Sequence, residues 1–200
     1  MVAQNTYLRS LFCRWGLILS GFALCWISIT GCTSLVPESI GTWGDGLSTS
    51  GQDGQNSAGN ASEMLALINT ARSESRMCGS NSFDAAPPLQ WDADLEEAAR
   101  IHNEDMTTNV FSGHEGSDGS SSMQRVRRIR TSRVTAVGET ISYFASDNAH
   151  AVERWLNSPG HCSILMDATF THMGADTARG PRFNAPDHEG DYRTAVYGRF

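Results

Sequence analysis

The chain has 200 residues, 40% hydrophobic and 18% charged, which is enough apolar content for a folded core and too much for wholesale disorder. Its 22 acidic residues face 15 basic ones for a formal net charge of −7, and every basic residue is an arginine. This balance excludes a general nucleic-acid binder, whose affinity comes from neutralising phosphates, and the lack of lysine excludes a P-loop and Schiff-base chemistry.

Residues 1–14 carry Arg9 and Arg14 and no acid, and Trp15 to Ile29 is an almost unbroken apolar run. The run is short for a bilayer span, and a basic start before a short apolar stretch is the layout of an export signal, here residues 1–31. An uncleaved membrane anchor is the alternative. Ile29-Thr30-Gly31-Cys32 resembles the lipobox of bacterial lipoproteins, which implies lipidation of Cys32 and a membrane partner. Several acyl chains on one cysteine would hold a protein at a membrane where a single chain would not. The expected location is therefore exported and lipid-anchored at the cell envelope: outer membrane, periplasmic face or cell surface. Residues 32–61, rich in Gly, Ser and Asn, read as a flexible tether about 30 Å from end to end.

Order is expected from Ser62, so that residues 62–200 form one domain. Met64, Leu65, Leu67, Ile68 and Ala71 recur at helical spacing and predict an amphipathic helix over residues 62–76. After Pro87 and Pro88, Asp92 or Asp94 can cap a second helix with a buried stripe of Leu95, Ala98, Ala99, His102 and Met106. A Gly/Ser-rich loop over residues 112–122 leads to a short basic helix near residues 123–130, and residues 137–144 read as a strand. Asp147 can cap a further helix to Asn157 that buries Ala149, Val152, Trp155 and Leu156. Residues 173–178 and 191–197 read as late strands joined by a polar hairpin loop, giving an α+β class.

Several familiar motifs fail on inspection. His114-Glu115-Gly116-Ser117-Asp118 starts like HExxH but ends in aspartate, and its glycine breaks the helix such a zinc site needs. No G-x-S-x-G elbow occurs, and His161-Cys162 are sequence neighbours that rarely face each other as a thiol protease pair would. What remains is a set of phrases in fixed order. They run from Leu67-Ile68-Asn69-x-x-Arg72 and Pro88-Leu89-x-Trp91-Asp92 through Ala98-Ala99-x-x-His102-x-x-Asp105-Met106 and Phe111-Ser112-x-His114. Val137-Gly138-Glu139, Trp155-Leu156-Asn157-Ser158-Pro159-Gly160-His161, Met173-Gly174 and a closing Tyr192-Arg193-Thr194-Ala195-Val196-Tyr197-Gly198 complete it.

Together these phrases resemble the bacterial branch of the CAP superfamily, the SCP-like relatives of cysteine-rich secretory proteins, allergens and pathogenesis-related proteins. The resemblance implies an α-β-α sandwich with a central antiparallel sheet between helical layers. It also implies a cleft in which His114, Glu139 and His161 take three of four positions, while Ser158 stands where animal and plant members carry an acid. Thr140, Arg193 and Ala195 also depart from the family pattern. Two neutral imidazoles and a carboxylate form an open ligand set for Zn²⁺, with His114 and His161 as the metal-binding pair. In a hydrolase of peptide, nucleic acid or cell-wall material, Glu139 would be the candidate catalytic base. The plainer possibility is that Glu139 only braces the cleft walls.

Cys78 and Cys162, the two cysteines of the folded part, suggest a disulfide in an exported domain, and the phrases around them resemble a pair found in some bacterial members. Arg125, Arg127, Arg128, Arg130 and Arg133 read as a solvated basic face that could also touch anionic lipid, and His102 as a buried, hydrogen-bonded histidine. The function expected from all this is binding of a lipid, peptide or envelope ligand by a membrane-tethered monomer. A metal-assisted hydrolase and a structural adhesion module are the alternatives.

Overall fold

The computed structural model describes residues 50–130 and 133–200; the export signal, Cys32 and the first part of the tether lie outside the described residues. The described chain runs α1 (Ser50–Arg72), β1 (Arg76–Cys78), β2 (Asn81–Phe83), β3 (Gln90–Trp91), α2 (Ala93–Asn109) and α3 (Ser122–Ile129). It continues through β4 (Ala136–Tyr143), α4 (Asn148–Asn157), α5 (Pro159–Met166), β5 (His172–Arg182) and β6 (Ala185–Arg199). The class is α+β. No helix among the described residues is long and apolar enough to cross a membrane.

The main sheet has the order β3-β5-β6-β4, antiparallel except for the short parallel β3–β5 pair. Side chains alternate along a strand, so β6 feeds two cores. Ala195 and Tyr197 join Ile68 of α1, Trp155 of α4 and Leu165 of α5, whereas Val196 between them joins Leu95, Ala98 and Ala99 of α2. Helical layers therefore cover both faces, as an α-β-α sandwich requires. Gly174 lets α2 approach the sheet: a Cβ there would lie 2.0 Å from the backbone nitrogen of Glu96.

Helix α2 starts where its cap predicts, with the Asp92 side chain accepting from the amides of Asp94 and Leu95, and all five expected stripe residues are buried. The later strands also fall where expected, extended at both ends. Three local expectations are corrected. The first helix ends at Arg72 rather than residue 76 and begins at Ser50 rather than Ser62, so it reaches into the segment expected to be tether. Ala149 is exposed, because α4 turns Asn148, not Ala149, onto the face shared by Ala151, Val152 and Trp155. Asn148 Nδ2 then donates to Asn60 and, at 2.9 Å, to Glu63. Finally, α5 and the β1–β2 hairpin are additions to the expected elements.

A Cys78–Cys162 disulfide ties β1 to α5, with Cα atoms 5.4 Å apart and 84 positions separating them in sequence. Closing so long a loop constrains the unfolded chain by roughly 4.5 kcal/mol in the entropic account.

Candidate functional site

The site forms where β4, one of the two edge strands of the main sheet, meets elements from both helical layers. Val110, in the left-handed conformation, ends α2 and turns the chain into a loop that carries His114. Asp105 of α2 holds this loop by accepting from the Ser117 amide at 2.7 Å. A capping box of Ser121 and Gln124 then starts α3 and places Arg125, a buried residue, in its first turn.

These elements converge on Glu139, a β4 residue only 5% exposed. His114 Nδ1 donates to Oε1 at 2.8 Å and Arg125 Nη2 donates to Oε2 at 2.7 Å. The Arg125 guanidinium also donates to the carbonyls of Ser120 (2.8 Å) and His114 (3.2 Å), so one arginine fixes both the carboxylate and the histidine loop. Burial pushes the Glu139 carboxyl up, but the His114 hydrogen bond and the charges of Arg125 and His102 outweigh it and hold it below its ordinary value. Behind it, His102 Nε2 lies 2.9 Å from the carbonyl of Gly113, which only a protonated Nε2 can satisfy; among the described residues the buried Nδ1 has no partner. Burial holds His102 below its ordinary pKa.

His161 comes from the other layer, in the first turn of α5. Its ring centroid lies 6.2 Å from that of His114, whose side chain is 57% exposed with Nε2 left free of the carboxylate. Burial, and then the charge of His114, lower the His161 pKa. Beside His161 opens a cleft of about 220 Å³, walled by Ser142 and Tyr143 of β4, Arg154 and Trp155 of α4, and Ser158 at the start of α5. Thus His114 and Glu139 are directly bonded, His161 faces His114, and Ser158 shares the cleft with His161.

Zinc does not fit these residues. Both Glu139 oxygens are engaged, Ser158 offers no carboxylate, and two imidazoles remain where a catalytic zinc site takes three protein ligands. Among the described residues, no group of three or more His, Cys, Asp or Glu side chains could hold a metal ion.

Sequence reasoning missed two residues, Arg125 and Arg154. Arg125 belongs to the run expected to be solvated, yet it shares a helix face with Ile129, which packs against the core, and that phase was the available signal. Of the rest of the run, Arg127, Arg128 and Arg133 are exposed as expected, with Arg128 paired to Asp118 at 2.7 Å. Arg130 is half-buried: it pairs with Asp92 at 2.6 Å while its guanidinium stacks 3.5 Å over Phe200.

A family model described as CAP, cysteine-rich secretory protein family, matches residues 65–195. An uncharacterized membrane protein of Bacillus subtilis (strain 168), YlbC, is 36% identical over 91 residues, covering 46% of this chain and 26% of that protein. YkwD of the same organism, also uncharacterized, is 31% identical over 87 residues, covering 44% and 34%. The chain thus matches about a quarter to a third of the length of these relatives. Among solved structures, an extracellular SCP-domain protein of Bacillus anthracis (strain Ames) superimposes with a TM-score of 0.58 at 26% identity, covering 78% of this chain and 45% of that one. An outer surface protein of Borrelia burgdorferi shares the fold, with a TM-score of 0.51 at 21% identity over 69% of this chain and 87% of its own.

Proposed function

This chain belongs to the cysteine-rich secretory protein (CAP) family, and from that premise we propose that it is an exported binding protein of the bacterial cell envelope, held there by lipid on Cys32, whose histidine-lined cleft takes a peptide or lipid ligand. The observation that carries this reading is the engagement of Glu139. A general base must lie within reach of the proton it takes and be basic enough to hold it. The Glu139 carboxylate is buried, neutralised by Arg125 and bonded at both oxygens, so it serves as a fixed strut for His114. That leaves His161, the free face of His114 and the adjoining cleft as a recognition surface rather than a hydrolytic centre. The extracellular, outer-surface and membrane descriptions of the similar proteins support the envelope location.

The test is calorimetric titration of the full chain in detergent with short peptides and lysophospholipids, in parallel with a hydrolysis assay on the same panel. One class should bind wild type without turnover and bind His161→Ala at least tenfold more weakly. Turnover of any of these compounds that is lost in Glu139→Gln would establish the hydrolase instead. Labelled palmitate should enter the wild-type chain and not Cys32→Ala; no incorporation into wild type would remove the anchor.

A further inference from the structure

Helix α5 opens without a side-chain cap. Ser158 occupies the N-cap position, but its hydroxyl takes none of the first-turn amides, and Pro159 follows at the first helical position. Helix starts present unsatisfied N–H groups and the positive end of the macrodipole, a combination that attracts anions unless a side-chain oxygen occupies it. Both Ser158 and His161 line the 220 Å³ cleft, so this uncapped turn faces it.

Independent features of the same cleft have the same polarity. Trp155 is 1% exposed and Ser142 is 3% exposed; both line the cleft, and among the described residues neither Trp155 Nε1 nor Ser142 Oγ has a hydrogen-bond partner. A buried polar atom left unpaired is costly, and an indole N–H can only donate. Arg154 is anchored through Nη1 on the Tyr143 carbonyl and presents the rest of its planar fork. Among the described residues, no carboxylate lines the cleft, in a chain with 22 acidic residues against 15 basic ones. The volume is below the ~300–1,000 Å³ of a pocket for a whole drug-sized ligand, and suits one terminal group.

We propose that this cleft is an oxyanion subsite, in which a carboxylate or phosphate group of the ligand sits at the open start of α5 and accepts from Trp155, Ser142 and Arg154. The assignment rests on the binding reading above and names the chemistry of what binds. Ser158 is its pivot. An acid at that position would cap α5 itself and fill the subsite with its own charge.

The probes are inorganic phosphate and acetate, titrated into the full chain and followed by calorimetry and by the Trp155 indole N–H resonance, identified through Trp155→Phe. Wild type should bind one of the two with a low-millimolar Kd and shift that resonance. Tighter phosphate binding would assign a phosphorylated ligand group, and tighter acetate binding a carboxylate. Ser158→Asp should lose binding tenfold or more while its Tm stays the same or rises through the new cap, and Arg154→Gln should lose binding about as much. Binding that survives Ser158→Asp, or an indole resonance unmoved at saturation, would overturn the subsite. If neither anion binds while a peptide or lipid still binds in a His161-dependent way, the oxyanion assignment falls and the broader binding reading stands.

Discussion

Replacing Arg125 by methionine tests the reading of Glu139 most directly. Methionine keeps much of the apolar stem but leaves a carboxylate that is 5% exposed with His114 as its remaining strong donor. Breaking a buried pair by removing one partner costs about 3–5 kcal/mol, because the other charge stays behind without compensation. The variant also loses the donors to the Ser120 and His114 carbonyls, which puts the expectation at the upper end of that range. At roughly 3 °C per kcal/mol for a domain of this size, Tm should fall by about 10–15 °C. Thermal unfolding followed by circular dichroism at pH 7.5 measures it.

Two further readouts tie the loss to charge. Arg125→Met combined with Glu139→Gln should recover part of the stability, since a buried amide costs less than an unpaired carboxylate. The gap between wild type and Arg125→Met should also narrow in acid. In wild type the folded-state pKa of Glu139 lies below its ordinary 4.5, so its stabilisation is present above that value and is lost as pH falls through the folded pKa. In the variant burial raises the folded-state pKa of the stranded carboxyl, so its destabilisation is relieved as pH falls through that raised value toward 4.5. A loss under about 1 kcal/mol, or a double variant no more stable than the sum of the single losses predicts, would refute the strut and restore Glu139 as a candidate base.

His102 makes stability depend on pH in the same direction, but over a higher range. Burial lowers its pKa below 6.5, so the native state binds fewer protons than the unfolded one, and stability should fall as pH drops through about 6.5 toward the folded value. Every tenfold difference in proton affinity between the two states is worth about 1.4 kcal/mol. Tm measured from pH 7.5 to 5.5 should decline less steeply in His102→Gln than in wild type; equal slopes would exclude this role. Gly174→Ala should abolish or severely weaken folding, because the added methyl lies 2.0 Å from the Glu96 nitrogen and 2.5 Å from the Leu95 carbonyl carbon, backbone atoms that a rotamer change cannot move. Soluble expression with a wild-type Tm would contradict that packing.

Where a local chemical signal existed, the sequence was legible. Asp92 and Asp147 cap α2 and α4 at the expected residues, and the Leu95-to-Met106 stripe predicted the face that α2 buries. The late strands were visible because residues 192–197 are rich in aromatic and β-branched side chains, the types that fit a strand buried on both faces. Short elements carried no period to read. Helix α5 spans eight residues with its apolar side chains bunched at 164–166, and β1 and β2 span three residues each. The start of α1 at Ser50 was hidden because SGQDGQNSAG has no apolar stripe and carries three glycines, a poor composition for a helix interior. The histidine and glutamate positions came from phrases in fixed order, not from spacing. Arg125 and Arg154 were missed because an arginine in sequence does not reveal whether a carboxylate or a carbonyl awaits it.

What most distinguishes the site is that the elements on either side of its histidine pair are fixed before any ligand arrives. On one side, Arg125 locks Glu139 to the His114 loop through four hydrogen bonds, and His114 itself adds a fifth. On the other, the Cys78–Cys162 disulfide ties α5 down at the residue after His161. A ligand entering such a site spends little of its binding energy on ordering side chains, so a few contacts suffice for recognition. The same rigidity works against metal chemistry. With Glu139 committed to Arg125, capturing a third ligand would require breaking a buried ion pair, at several kcal/mol, before any bond to the metal formed. The open start of α5 demands no such rearrangement. The residues that carry its donors already line the cleft, and among the described residues Trp155 Nε1 and Ser142 Oγ have no hydrogen-bond partner. A negatively charged group is therefore the partner that this cleft can accept with the least change to itself.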